Sequence, residues 1–214
     1  MHAVDSLCCT TLGIDLNMRC SPLRQALLTS LPIIHECGLE PGDLRENIVV
    51  DFAELYDLPS GSILQVGEAV VRLTFHCEPC KKVLKYGRVR DILHKRGVFG
   101  QFLNNGRVSL GDRLMLMPGR AEFIPYDPKE RIRWYLARQR QPVMASTLIC
   151  EVGLPSSYAR ALPAILKKMP EQQQRVVLFK SRGQVCDYQK TGSGRLETAK
   201  GGFHPFRGRL ARNR

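Results

Sequence analysis

The sequence predicts a β-rich N-terminal domain, a small α+β C-terminal domain and a basic tail. Three observations carry this. Residues 61–77 and 97–119 alternate apolar and polar side chains between turn residues. Helical spacing replaces that alternation after Pro125 and Pro128. Charge shifts at the same place, from net −1 over residues 1–128 to net +13 over residues 129–214. The expected division is 1–120 for the β-rich domain, 121–128 for a linker, 129–190 for the α+β domain and 191–214 for the tail.

In the first domain, "GSILQVGEAVVRLTFHC" reads as a hairpin bent at Gly67 and Glu68. "GVFGQFLNNGRVSLGDRLMLMPG" has the same character, with Asn105-Gly106 as a two-residue hairpin signal and Gly111-Asp112 as the next turn. Residues 22–38 and "KKVLKYGRVRDILHKR" are the candidate helices. In the second domain Asp127 is the expected N-cap and Pro128 the first turn of a helix carrying Ile132, Tyr135 and Leu136. "MASTLICEVGL" and "PSSYARALPAILKKM" read as two more helices, and "RVVLFKSRGQVCDYQ" as two strands. Three helices and a hairpin outline a winged helix-turn-helix. From about Lys190 the chain is Gly-rich and basic without a hydrophobic face, which predicts disorder.

No apolar run approaches the roughly 18–20 residues that span a bilayer. The first residues lack the basic n-region of a signal peptide. A cytoplasmic protein with no membrane partner is the expectation. In a reducing compartment the eight cysteines are not a disulfide framework, and metal-binding or reactive use competes with simple packing. Cys77 and Cys80, in "LTFHCEPCKKV", are the pair that matters. Zinc needs four ligands; this pair supplies two, and Cys8-Cys9 lacks knuckle spacing. A redox CxxC belongs at a helix N-terminus, whereas this pair ends a strand. Cys77 reads as a packed core sulfur and His76, alternating away from it, as a solvated strand residue. Cys80 lies beside Lys81 and Lys82, whose charge favours a thiolate, and Pro79 breaks the strand just before it.

Five stretches in order, "GIDLNMRCSPLRQALL", "LEPGDLRENIVV", "LPSGSILQVGEAVVRLT", "CEPCKKV" and "RGVFGQFLNNGRVSLGD", resemble the MOSC family. That domain ends molybdenum cofactor sulfurases and occurs as free-standing bacterial proteins. The resemblance implies a barrel-like fold. It also implies molybdenum cofactor binding or sulfuration, or use of that cofactor in reduction, with Cys80 as sulfur carrier or molybdenum ligand on a basic pocket. The pterin cofactor carries a phosphate, so Arg45, Asn47, Lys82 and Arg96 are the expected cofactor contacts. Glu46 is expected to orient Arg45 or cap a turn. A sulfur donor or acceptor protein is the implied partner. Pyridoxal phosphate belongs to a separate domain of the full sulfurases and finds no lysine context here. Family members begin with a strand before the "GI…D" segment, so an uncovered edge or an upstream start is expected.

Residues 129–190 resemble the DNA-binding half of DNA alkyltransferases and alkyltransferase-like proteins, through "RIRWYLARQRQPV", "VGLPSSYARALPAIL" and "QQQRVVLFKSRGQV". Arg160 matches the arginine that the family intercalates at a flipped base. Gln173 stands where the acceptor cysteine belongs, and an amide accepts no alkyl group, so alkyltransferase activity is excluded. Arg160, Lys167, Lys168, Lys180 and Arg182 are the candidate DNA contacts. The alternative to a cofactor or sulfur-carrier protein is therefore a duplex-DNA-binding protein whose first domain senses a ligand.

Overall fold

The computed structural model describes residues 4–14, 21–78, 94–180 and 184–186. The first 120 residues form strands β1 (Ser6–Thr10), β2 (Gly13–Ile14) and β3 (Ala26–Ser30), helix α1 (Leu31–Glu36), and strands β4 (Ile48–Val50), β5 (Ser62–Val66), β6 (Ala69–His76), β7 (Val98–Phe102), β8 (Gly106–Ser109) and β9 (Leu114–Arg120). Six strands make one sheet in the order β4-β3-β7-β6-β5-β9, and β2-β1-β8 makes a second. Leu28, Leu64, Val71, Leu73 and Phe102 from the large sheet meet Cys9, Ile14 and Val108 from the small one in a single core. Both sheets keep edge strands, so the β-rich domain is a pair of sheets around a core, with no closed ring of strands among the described residues. A strand, β1, does precede Gly13, and it pairs with β8.

The β5–β6 hairpin forms as the alternation predicts: Val66 pairs with Ala69 across a two-residue turn in which Gly67 takes φ +56. The Asn105-Gly106 hairpin does not form. Strand β7 pairs with β3 and β6, while β8 pairs with β1 in the other sheet. The asparagines explain the difference, because both are drawn away from a local turn. Asn104 accepts from Val70 N–H (2.7 Å) and donates to Glu68 O (2.9 Å), and Asn105 accepts from Thr11 N–H (3.0 Å). The turn therefore carries the chain from one sheet to the other. Residues 22–38 yield strand β3 and only a six-residue helix, capped by Ser30, whose Oγ accepts from Ile33 N–H. The second candidate helix falls largely on residues 81–93, outside the described residues.

The C-terminal part holds α2 (Pro128–Ala137), β10 (Val143–Met144), α3 (Ala145–Glu151), a 3-10 turn (Ser156–Ala159), α4 (Leu162–Lys167), α5 (Pro170–Gln173), β11 (Val176–Lys180) and β12 (Gln184–Cys186). Asp127 caps α2 as expected, accepting from Lys129 and Glu130 N–H at 2.8 and 3.1 Å. The third expected helix is broken into the 3-10 turn and α4, with Pro163 in the first turn of α4, where no helical hydrogen bond is lost. Strand β11 pairs parallel with β10 and antiparallel with β12. Ile132, Leu136, Leu148, Val152, Leu162 and Leu166 form this part's own core.

Residues 121–126 are hydrogen-bonded to the start of β5. Ala121 N–H donates to Gly61 O (2.8 Å), Ile124 N–H to Ser60 Oγ (2.9 Å), and Ser60 N–H to Tyr126 Oη (3.0 Å). Ile124 is fully buried.

Gly97 lets β7 approach β3. It takes φ +127, and a Cβ there would lie 2.7 Å from Leu28 O and 2.8 Å from Leu27 Cδ1. Gly111 also has positive φ, but nothing lies within 4 Å of its Cβ position. Gly97→Ala is therefore expected to cost about 3 kcal/mol and Gly111→Ala about 1 kcal/mol, read from the midpoints of urea unfolding at constant slope.

Candidate functional site at the end of strand β6

Strand β6 runs from the core to the rim of the large sheet. Its register against β7 shifts between Leu73 and His76, so that His76 pairs with Val98. Beyond it, Cys77 N–H donates to Gly97 O (2.8 Å), and Glu78 O accepts from Arg96 Nη1 (2.6 Å). The two strands thus remain joined as far as Glu78 and Arg96. Cys77 is buried with Phe75, Phe99, Leu23, Leu27 and Ile124, which agrees with its reading as a packed sulfur. Cys80 and Lys82 lie outside the described residues.

His76 is half-buried among other rings and not a freely solvated side chain. Its ring stacks on Tyr56 (centroids 6.2 Å), meets His94 edge-on (5.6 Å) and tilts against Tyr126 (5.2 Å). The register shift accounts for this, since it alters the face on which the strand's last side chains emerge. Its Nδ1 is buried with no hydrogen-bond partner among the described residues. Burial, followed by the charge of the neighbouring His94, lowers its affinity for a proton below the ordinary imidazole value of 6.5; a hydrogen bond with the His94 backbone, and then Asp57, oppose this. Tyr56 is pushed up to about 12, chiefly by burial, and its Oη accepts from Ser30 N–H at 3.4 Å. Both rings are therefore neutral near pH 7. His94 itself takes φ +60, a left-handed conformation uncommon away from glycine.

Of the expected anion contacts, Arg45, Asn47 and Arg96 lie among the described residues. Arg96 is 8 % exposed, and its Nε is buried with no hydrogen-bond partner among the described residues. Asn47 instead brackets Leu27: its Oδ1 accepts from Leu27 N–H and its N–H donates to Leu27 O, both at 2.9 Å. It holds the start of β4 against β3, three residues before the Ser30 end. Arg45 is exposed with φ +61. Glu46 caps the turn, its Oε1 accepting from Gly42 N–H, while its buried Oε2 has no hydrogen-bond partner among the described residues.

The strongest feature at this end was not singled out from sequence. Arg131, on α2, is 1 % exposed. Its guanidinium lies 3.6 Å from the Phe75 ring centroid, Nη1 donates to Tyr126 O (2.9 Å), and Nη2 stands 4.0 Å from Glu78 Oε1. Burial pushes it down to about 10, Glu78 acting in the opposite sense, so it stays a cation at neutral pH. On the neighbouring ring of the Phe75–Phe99 edge-on pair, Arg24 stacks on Phe99 at 4.2 Å and donates to Gly153 O (3.2 Å). A signal was present: Arg131 sits beside Ile132 and four residues before Tyr135, on the apolar stripe of its helix.

Of the candidate DNA contacts, Arg160 closes the 3-10 turn, Lys167 ends α4 and Lys168 follows it, all exposed. Lys180 ends β11, and Arg182 lies outside the described residues. Among the described residues no group of three His, Cys, Asp or Glu side chains is placed to hold a metal ion. No helix among them is long and apolar enough to cross a membrane.

Residues 23–115 match the model of the MOSC domain. No curated protein matches the chain. Among solved structures, YuaD from Bacillus subtilis is 20 % identical with a TM-score of 0.45, covering 52 % of this chain and 84 % of its own. YiiM from Escherichia coli is 20 % identical with a TM-score of 0.44, over 78 % of this chain and 87 % of its own. A protein described as hypothetical is 19 % identical with a TM-score of 0.48, over 79 % and 85 %.

The lowered His76 affinity has a signed consequence. The folded state resists protonating this ring, so its contribution to stability is complete above pH 6.5 and declines as pH falls below that value. The groups facing it are Tyr56, His94, Tyr126 and Asp57. Melting temperature measured from pH 8 to pH 5 is expected to fall more steeply for the wild type than for His76→Asn. Parallel curves would remove His76 as the cause.

Proposed function

We propose that, with residues 23–115 taken as a MOSC domain, the chain is a molybdenum-cofactor-binding or sulfur-carrier protein acting through the thiolate of Cys80. The observation that carries this reading is Arg96. At the strand end that leads to Cys80, it is a buried cation bonded to the Glu78 carbonyl, and its Nε–H has no hydrogen-bond partner among the described residues. Cys80 follows Glu78 by two residues in the sequence and is itself followed by Lys81 and Lys82. Neighbouring cations favour the ionised thiol, the form that attacks or ligates.

The residues fit an anionic, hydrogen-bonding cofactor. Arg96 Nε offers a donor and His76 Nδ1 a neutral acceptor, both buried and unmet among the described residues. When bound, the cofactor supplies a molybdenum centre that moves an oxygen or sulfur atom together with two electrons. The chain's own contributions are distinct. Arg96 fixes the strand end and holds positive charge there, while Lys82 adds a second cation beside Cys80. Burial of Cys77 among aromatic and aliphatic side chains removes the competing thiol. In sulfur carriage, the Cys80 thiolate attacks the terminal sulfur of a donor persulfide. The donor's S–S bond breaks, the donor leaves as a thiolate, and Cys80 retains the persulfide.

Asn47 is committed to the Leu27 backbone, so Arg96 and Lys82 are the stronger candidates for cofactor contact. The exposed Arg160, Lys167 and Lys168 are common to a duplex-binding face and a solvated one, and favour neither.

Cys80→Ser is expected to lose molybdenum, pterin and persulfide loading at least tenfold, while its circular dichroism and melting temperature match the wild type. Metal analysis, pterin fluorescence and persulfide labelling of the purified full chain check this. Equal loading of the two proteins would refute the assignment.

A further inference from the structure

We propose that the outer edge of strand β9 is a self-association surface, on which a second copy of this chain adds its own β9 antiparallel about a two-fold axis at Leu116. The proposal goes beyond the cofactor reading and does not depend on it.

Strand β9 (Leu114–Arg120) ends the six-stranded sheet, and no strand among the described residues pairs with its outer edge. Its main-chain groups alternate between the two sides. Arg113 O accepts from Gly67 N–H (3.3 Å), and Met115 lies opposite Gln65. In an antiparallel ladder the bonding direction switches at each residue. Arg113 and Met115 therefore turn their main-chain groups toward β5, while Leu114 and Leu116 turn theirs outward. Pro118 has no N–H to offer, which suits an edge strand. The side chains along this edge are apolar and wet: Met115 is 47 % exposed and Leu116 55 %. Leu116 lies opposite the fully buried Leu64 and so shares the core face of the sheet, yet more than half of it meets solvent. Edge strands are commonly blunted by charge. From Leu114 to Gly119 this one carries none.

The strand's own sequence selects the occupant. Laid antiparallel on itself about Leu116, it sets Leu116 against Leu116, Met115 against Met117, Leu114 against Pro118 and, at both ends, Asp112 against Arg120. Asp112 and Arg120 are exposed, and Ser109 N–H holds the Asp112 carboxylate in place (2.7 Å). A two-fold axis at Met115 would instead oppose Arg113 to Met117, and one at Met117 would oppose Asp112 to Glu122. Charge and apolar pattern are complementary together in the Leu116 register. The two ion pairs are exposed, so they choose the register more than they strengthen it. Such a pairing is isologous and closes at two copies. The register of β9 on β5 shifts beyond Leu116, which keeps the new ladder short and the association weak and concentration-dependent. The chain's own C-terminal stretch is a poorer match. Residues 187–214 hold seven Lys and Arg against two Asp and Glu, and would meet Arg113 and Arg120.

The test follows the full chain by sedimentation velocity from about 1 to about 200 µM, with hydrogen exchange of the Leu114 and Leu116 amides on the same samples. We expect dimer to accumulate with concentration and the two amides to slow only as it does. Leu116→Lys and Arg120→Glu are each expected to weaken association at least tenfold, with the melting temperature in dilute solution unchanged. Register is read by oxidising cysteine variants with diamide and mapping the cross-links by peptide mass spectrometry. A mixture of Met115→Cys and Met117→Cys chains is expected to give at least fivefold more cross-link at those positions than either variant alone. A chain that stays monomeric throughout overturns the proposal, as does a dimer that both charge-changing substitutions leave intact. Cross-linking that favours Met115→Cys alone or Met117→Cys alone overturns it too. Protection of the Leu114 and Leu116 amides in dilute, monomeric protein means that the chain covers this edge itself, and equally overturns it.

Discussion

A buried guanidinium on an aromatic ring is the contact on which the arrangement of this chain turns. Arg131 is nearly inaccessible, yet its ion-pair partner Glu78 keeps 48 % of its side chain exposed and stands at the 4.0 Å limit. Such a half-wet pair is worth about 0–1 kcal/mol. The stack on Phe75 at 3.6 Å, shielded from water, is worth about 2 kcal/mol, and the bond to the Tyr126 carbonyl about 1.5–3 kcal/mol. The stack and the carbonyl bond therefore pin helix α2 to the β-rich domain, and the carboxylate supplies direction more than energy. Arg24 repeats the device on Phe99 and reaches back to the Gly153 carbonyl.

The consequence is a strand end held from two sides. Strand β6 brings His76, Cys77 and Glu78 to the rim of the sheet, β7 returns with Arg96 and Gly97, and α2 closes over Phe75. The connector contributes as well, because Tyr126 tilts against His76 while its carbonyl receives Arg131. Neutral His76 and Tyr56 line one side of this rim, and the Arg96 cation is bonded to the Glu78 carbonyl.

Much of the fold was legible where pattern and local chemistry agree. The β5–β6 hairpin follows from alternation and Gly67, and α2 follows from Asp127 and Pro128. Two misreadings share a cause, which is that side chains were assigned by local rules while distant partners decided. Asn104 and Asn105 were spent on Val70, Glu68 and Thr11, so the Asn-Gly turn joined two sheets and made no hairpin. His76 was counted outward by strict alternation, and a register shift turned it into an aromatic cluster. Arg131 was passed over because a charged residue on a helix is usually solvated, although its position on the apolar stripe was visible. Cys80 came from motif order and neighbouring charge, and Arg96 from its place before Gly97. Asn47 owes its expected role to its amide, whose Oδ1 accepts from the Leu27 backbone.

The claim that both parts of the chain jointly hold the end of β6 is tested most directly by native-state hydrogen exchange of the unsubstituted protein across a denaturant series. The account predicts that the amides of Phe75–Cys77 and of Ile132–Leu136 open in one cooperative step, with a common free energy and denaturant slope. Opening of α2 at a clearly lower free energy, with the β6 amides still protected, would contradict it.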